Sequence, residues 1–143
     1  MAGVRVHDRL IVITAVAVTV IACVNDISWG LALTLGVSEF LGGYFLSPDL
    51  DTVSAVYYRW GVLRFWWKPY RKIFHHRSFF SHDPVCGTFF RLIWLSPFWV
   101  PLFLFRWPDP IYVVAVVVGI EISAIVHWIT DLVTTLNNYF FAR

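Results

Sequence analysis

This sequence has few charged side chains. They make up 14% of its 143 residues, against about a quarter in a soluble globular domain. With a mean hydropathy of +0.69, the deficit excludes an ordinary soluble domain and points to a membrane protein. The net charge is only +2, and no basic run interleaves with a nucleic-acid module signature, so DNA and RNA are excluded as partners. Cysteine is limited to Cys23 and Cys86. They are predicted at opposite ends of the fold, beyond the reach of an intrachain disulfide.

What is present is long apolar stretches rich in Phe and Trp, a membrane signature. A spanning helix needs about 20 apolar residues. Four runs approach that length, at about 10–25, 27–47, 89–106 and 110–131. Asn25-Asp26 reads as a tight turn between the first two, and Trp107-Pro108-Asp109-Pro110 as a turn between the last two. The expectation is one all-α, polytopic membrane domain over 1–143, with segment 48–88 between the second and third spans. Arg5 and Arg9 followed by an apolar run ending "VIAC" at Cys23 imitate a lipoprotein signal. Such patterns arise by chance in apolar runs, and the segment is expected to stay.

The cations set a topology. Arg5, Arg9, Arg59, Arg64, Lys68, Arg71, Lys72, Arg77 and Arg143 fall on one side of a four-span arrangement, with Arg91 near its edge; Arg106 stands alone on the other. The positive-inside rule then makes both termini cytoplasmic, in an integral membrane protein expected in a prokaryotic inner membrane. Within 48–88, Val53, Val56, Tyr57, Trp60, Leu63 and Trp67 recur at helical spacing, with Arg59, Arg64 and Lys68 off that stripe. This predicts an amphipathic helix, ended by Pro69, either on the cytoplasmic membrane surface or packed on the bundle as a lid.

On that cytoplasmic side the chain also gathers its acid and imidazole groups. "PDLD" follows the second span, because the residue before a proline leaves the helix. An extended "DLD" would point Asp49 and Asp51 the same way, able to bind one cation or flank a pair. The blander reading makes Asp51 a helix cap, which accounts for one aspartate and not two. His127 and Asp131, four apart, share one helix face at the membrane edge. His76 and His82 lie in the short polar run "HHRSFFSH". His75 and His76 are neighbours whose side chains diverge, so one ion is not expected to take both. Arg77 suits a phosphate by its fork geometry, or else a lipid headgroup, and Ser78 and Ser81 would donate to nearby ligands.

"VHDRL", "SPDLD", "RWGVLRFWWKPYRKIFHHRSFFSHDPVCGTFFR" and "HWITD" together resemble a group of uncharacterised small membrane proteins of bacteria and archaea that are described as predicted metal-binding. The order of motifs also resembles, more loosely, the SOS-regulated membrane-bound metal-dependent hydrolases. The resemblance implies a ligand set of His7, Asp49, Asp51, His76, His82, His127 and Asp131, and leaves His75 without a counterpart. Mixed His and Asp ligands suit zinc first, or manganese or iron, as one or two ions. With Asp49, Asp51 and Arg77 at the reacting centre, the expected activity is hydrolysis of a phosphoester on a lipid-like substrate. Two other classes stay open. One is a metal-binding structural or accessory subunit, in a homo-oligomer or larger membrane complex. The other is a metal or proton transporter, in which Glu39 and Glu121 mark a path through the spans.

Overall fold

A computed structural model describes residues 4–76, 78–105 and 109–141. Among these residues every regular element is helical. Helix α1 (Val4–Val24) and helix α2 (Trp29–Phe45) are joined at Asn25-Asp26, where Asp26 takes a left-handed conformation (φ 59°) and Ile27 N–H reaches back to the carbonyl of Ala22. A 3-10 turn (Pro48–Asp51), α3 (Ala55–Arg59), a 3-10 segment (Gly61–Trp66), α4 (Trp67–Ile73) and α5 (Phe79–His82) follow. The chain continues through α6 (Pro84–Trp94), α7 (Ser96–Phe105) and the 32-residue α8 (Pro110–Phe141). Pro110 opens α8, and the Asp109 carboxylate accepts from Ile111 N–H at 3.0 Å, which caps the helix.

Helix α2 lies between α1 and α8. Its buried positions are small or polar: Ala32, Gly36, Ser38, Glu39, Gly42 and Gly43. Small residues let apolar helices approach closely enough for backbone-level packing. A Cβ on Gly36 would strike Thr19 and the carbonyl of Ala15 on α1, and one on Gly119 of α8 would strike Ser38 and the carbonyl of Leu35.

Among the described residues, three helices are long and apolar enough to cross a membrane, within Arg5–Val24, Trp29–Asp51 and Pro110–Phe140. The expected third span, 89–106, is not one straight helix. α6 and α7 meet at 68° around Leu95, and count as a fourth span only if the bent pair is taken together. Pro97 explains the break: it lacks an N–H, and its ring would clash with the carbonyl of Ile93 in a continuous helix. α1 begins six residues before the expected span, which places His7 on the helix, and α8 runs past 131 to Phe141.

The expected single amphipathic helix is also broken. Gly61, at φ +53°, ends α3 and starts the 3-10 segment. Pro69 ends nothing. It lies in the first turn of α4, where its missing N–H is among those with no helical partner. Of the predicted stripe, Val56, Tyr57 and Trp67 are buried and Val53 and Leu63 are exposed. Leu50, Val56, Tyr57, Trp67 and Tyr70 form an apolar core closing one end of the bundle, so this part of the segment is a lid. The lid is pinned by Arg59, which donates to Asp8 on α1 and, at 3.0 Å, to the carbonyl of Tyr44 on α2. Trp60 adds a 2.9 Å bond to the carbonyl of Phe45.

Candidate metal centre

Four separate pieces of backbone converge beneath this lid. The Pro48–Asp51 turn replaces the extended conformation expected for "DLD". Pro48 starts it, Leu50 N–H bonds to the carbonyl of Ser47, and the Leu50 side chain is drawn into the lid core. The two aspartates share His82 at its two ring nitrogens, Asp51 at Nδ1 and Asp49 at Nε2, and otherwise serve His76 and His127 respectively. Capping is left to Ser54, whose hydroxyl accepts from Tyr57 N–H at the start of α3. Asp51 is not a cap.

The Asp51 side chain is fully buried. One carboxylate oxygen lies 2.7 Å from His76 Nδ1 and the other 3.2 Å from His82 Nδ1. Those separations are hydrogen bonds, so the Nδ1–H groups donate and the imidazoles are held in one tautomer and one orientation. The His82 ring then presents Nε2 to Asp49, 3.9 Å from its Oδ1. His127 presents its own Nε2 to the same oxygen at 3.8 Å, and to Asp131 Oδ2 also at 3.8 Å. The Nδ1 of His127 sits 3.2 Å from Ser47 Oγ, and a proton on Nδ1 leaves Nε2 free. His7, stacked on His127 with ring centroids 4.3 Å apart, completes the row with its Nε2 3.3 Å from Asp131 Oδ1.

Three overlapping groups result: His7, His127 and Asp131; Asp49, His82 and His127; and Asp51, His76 and His82. Within each, one ligand atom per residue lies within 4.8 Å of the others. Two donors about 2.1 Å from one ion at tetrahedral angles are about 3.4 Å apart, close to the separations around Asp49 and Asp131. The decisive atoms are His82 Nε2 and His127 Nε2. Both are buried without a hydrogen-bond partner. Buried polar nitrogens are seldom left so, and two of them aimed at one carboxylate oxygen suit a shared cation. The imidazole and carboxylate donors fit a borderline transition metal.

All seven expected ligands fall in these groups. His75 is exposed and joins none of them; its carbonyl accepts from Ser81. Ser81 is buried and faces Asp51, while Ser78 bonds to Ser81 at 3.1 Å. Arg77 lies outside the described residues. Two residues next to these groups were not singled out from sequence. Ser47 was read only as the end of a span, though a hydroxyl before Pro48 was the signal available. Arg91, expected near the edge of the cytoplasmic side, is 1% exposed; an arginine inside an apolar run was the signal for it.

A family described as uncharacterised metal-binding proteins matches residues 2–113. That stretch contains His7, Asp49, Asp51, His76 and His82, and ends before His127 and Asp131. An uncharacterised protein of Aquifex aeolicus (strain VF5) is 39% identical over 64 residues, which is 44% of this chain and 45% of that protein. This chain thus spans under half the length of that relative. No solved structure matches.

Proposed function

The chain belongs to the family of uncharacterised metal-binding proteins, and from that premise we propose a metal-dependent hydrolase acting on a phosphoester of a lipid-like substrate at the cytoplasmic face of a prokaryotic inner membrane. The observation that carries this reading is the pair of unpartnered Nε2 atoms of His82 and His127 facing Asp49. Structural metal sites are closed, whereas catalytic ones keep a position open. Here the side chains of Asp49 and Asp131 keep 25% and 16% of their surface exposed, which supports access by water and substrate.

In this reading Asp49, His82, His127, Asp131 and His7 hold one or two ions, zinc first among the choices. An ion there supplies Lewis acidity toward a phosphoryl oxygen and toward water. Asp51 fixes the His82 and His76 rings. Ser47 fixes the His127 ring. Arg77, next to His76 in sequence, contacts the phosphate. The lipid-like substrate is supported by the lid's outer surface. Val62 and Phe65 are 87% and 58% exposed beside Arg64, a combination suited to an anionic membrane surface.

Elemental analysis of detergent-purified protein, followed by a phosphoester screen with the metal found, tests the proposal. The expected result is a stoichiometric transition metal and turnover of a long-chain phosphoester. Asp49→Ala is expected to lose both. Turnover is absent with every metal if the ion is purely structural, and ligand variants then unfold instead. Folded protein that binds no metal would remove the basis of the reading.

A further inference from the structure

Arg91 is the largest charged side chain to be fully buried, and none of the roles above uses it. Its fork is occupied by two neutral acceptors. Nη1 donates to the carbonyl of Ser81 at 3.1 Å, and Nη2 donates to Thr88 Oγ1 at 3.0 Å, one turn earlier on α6. Nε has no partner. A guanidinium buried this way is costly unless its geometry does something a neutral residue cannot.

What it grips is the backbone immediately before a metal ligand. Ser81 is followed by His82, whose Nε2 faces Asp49. Ser81 is itself fully buried and tied through its hydroxyl to the carbonyls of His75 and Ser78, so the loop bearing His76 hangs from the same anchor. The chain makes room for the contact. A Cβ at Gly87 would lie 2.5 Å from the Ser81 oxygen and 3.3 Å from Arg91 Nη1. The Asp83 carboxylate accepts from Cys86 N–H at 2.8 Å, which fixes the start of α6 directly after His82. The junction between α5 and α6 is therefore held from three directions, and the residue held there is His82.

We infer that Arg91 is a positioning residue for the metal centre: by clamping the Ser81 carbonyl against α6 it sets where His82 Nε2 points. It touches neither the ion nor a substrate. The inference rests on metal binding at this site and not on hydrolysis.

A double-variant cycle tests it. Zinc affinity is measured in detergent by competition with a chromophoric chelator for the wild type, Arg91→Gln, His82→Ala and the combination. Arg91→Gln is expected to weaken zinc by about tenfold or more, as removal of ligand-orienting groups does. The combination is expected to bind no more weakly than His82→Ala alone, because Arg91 acts through His82. Unchanged affinity in Arg91→Gln, or losses that add, would overturn the inference. Should Arg91→Gln not fold, Gly87→Ala enters the same cycle, since it displaces the Ser81 carbonyl while leaving Arg91 in place. In a second readout, cobalt-loaded Arg91→Lys keeps the charge but not the two-pronged grip. Its absorption bands are expected to shift at unchanged helix content, and bands identical to wild type would count against the assignment. Wild-type protein that takes up neither zinc nor cobalt would overturn the metal centre itself, a failure distinct from that of Arg91.

Discussion

Replacing Asp51 by asparagine separates a residue that orients ligands from one that binds. The carboxylate accepts from His76 Nδ1 at 2.7 Å and from His82 Nδ1 at 3.2 Å, and its side chain has no exposure to solvent. An asparagine can accept from one imidazole through its carbonyl oxygen. Its amide then offers N–H to the other Nδ1–H, two donors facing each other. One ring must turn, and His82 is the one whose Nε2 faces Asp49. Loss of such a partner costs metal affinity about 10–100-fold, or roughly 1.4–2.7 kcal/mol. Asp49→Ala, which removes the oxygen both Nε2 atoms address, is expected to abolish tight binding. Titration with zinc against a competing chelator, with elemental analysis of the loaded protein, distinguishes the two. Undiminished affinity in Asp51→Asn would refute the orienting role. Loss of one full metal equivalent at unchanged affinity for another would instead make Asp51 a direct ligand of a second ion.

Ser47→Ala removes the partner of His127 Nδ1 and is expected to weaken metal binding less than Asp51→Asn, read in the same titration. Gly119→Ala forces a Cβ against Ser38 and the Leu35 carbonyl, and is expected to destabilise the α2–α8 contact by about 1–3 kcal/mol, visible as a lower melting temperature in detergent. Burial pushes the Tyr70 hydroxyl up to about 12. Its contribution to stability is complete below its ordinary value near 10 and is lost as pH rises toward 12, so Tyr70→Phe is expected to flatten the fall in melting temperature across that range. For topology, reporter tags at Met1 and Arg143 are expected on the cytoplasmic side and a tag beside Asp109 on the opposite side; a cytoplasmic Asp109 tag would invert the arrangement.

Much of the candidate cluster was legible because the chain is so apolar. In a sequence with few charges, His127 four residues before Asp131, or two aspartates flanking Leu50, has little reason to persist on polarity alone. The long helices were legible for the matching reason, that unbroken apolar runs near 20 residues have few alternatives. Breaks inside runs were legible only in part. Arg91, Pro97 and Pro101 interrupt the third run in the sequence, but hydropathy reads straight through Leu95 and does not say which proline bends the chain. Helical spacing likewise reads through Gly61, because a positive φ changes direction and not composition. The division of labour between Asp49 and Asp51 depends on a 3-10 turn that Leu50 pulls inward, and no spacing rule separates that from an extended strand. The burial of Arg91 was not legible, because its place in the chain says only how near it lies to one end of the spans, whereas a carbonyl and a hydroxyl receive it in the interior.

The His7–Asp131 contact, 3.3 Å between α1 and α8, has a consequence for biogenesis. During synthesis His7 is made before α8, and it must wait for α8 to emerge and settle beside α1 before its partner exists. Asp49 and His82 are produced in between and would offer only part of the proposed coordination. An ion that demands the full set therefore cannot be captured by a half-made chain. If the ion is held as proposed, its uptake would follow assembly of the helices, and metal content would mark molecules in which α1 and α8 have met.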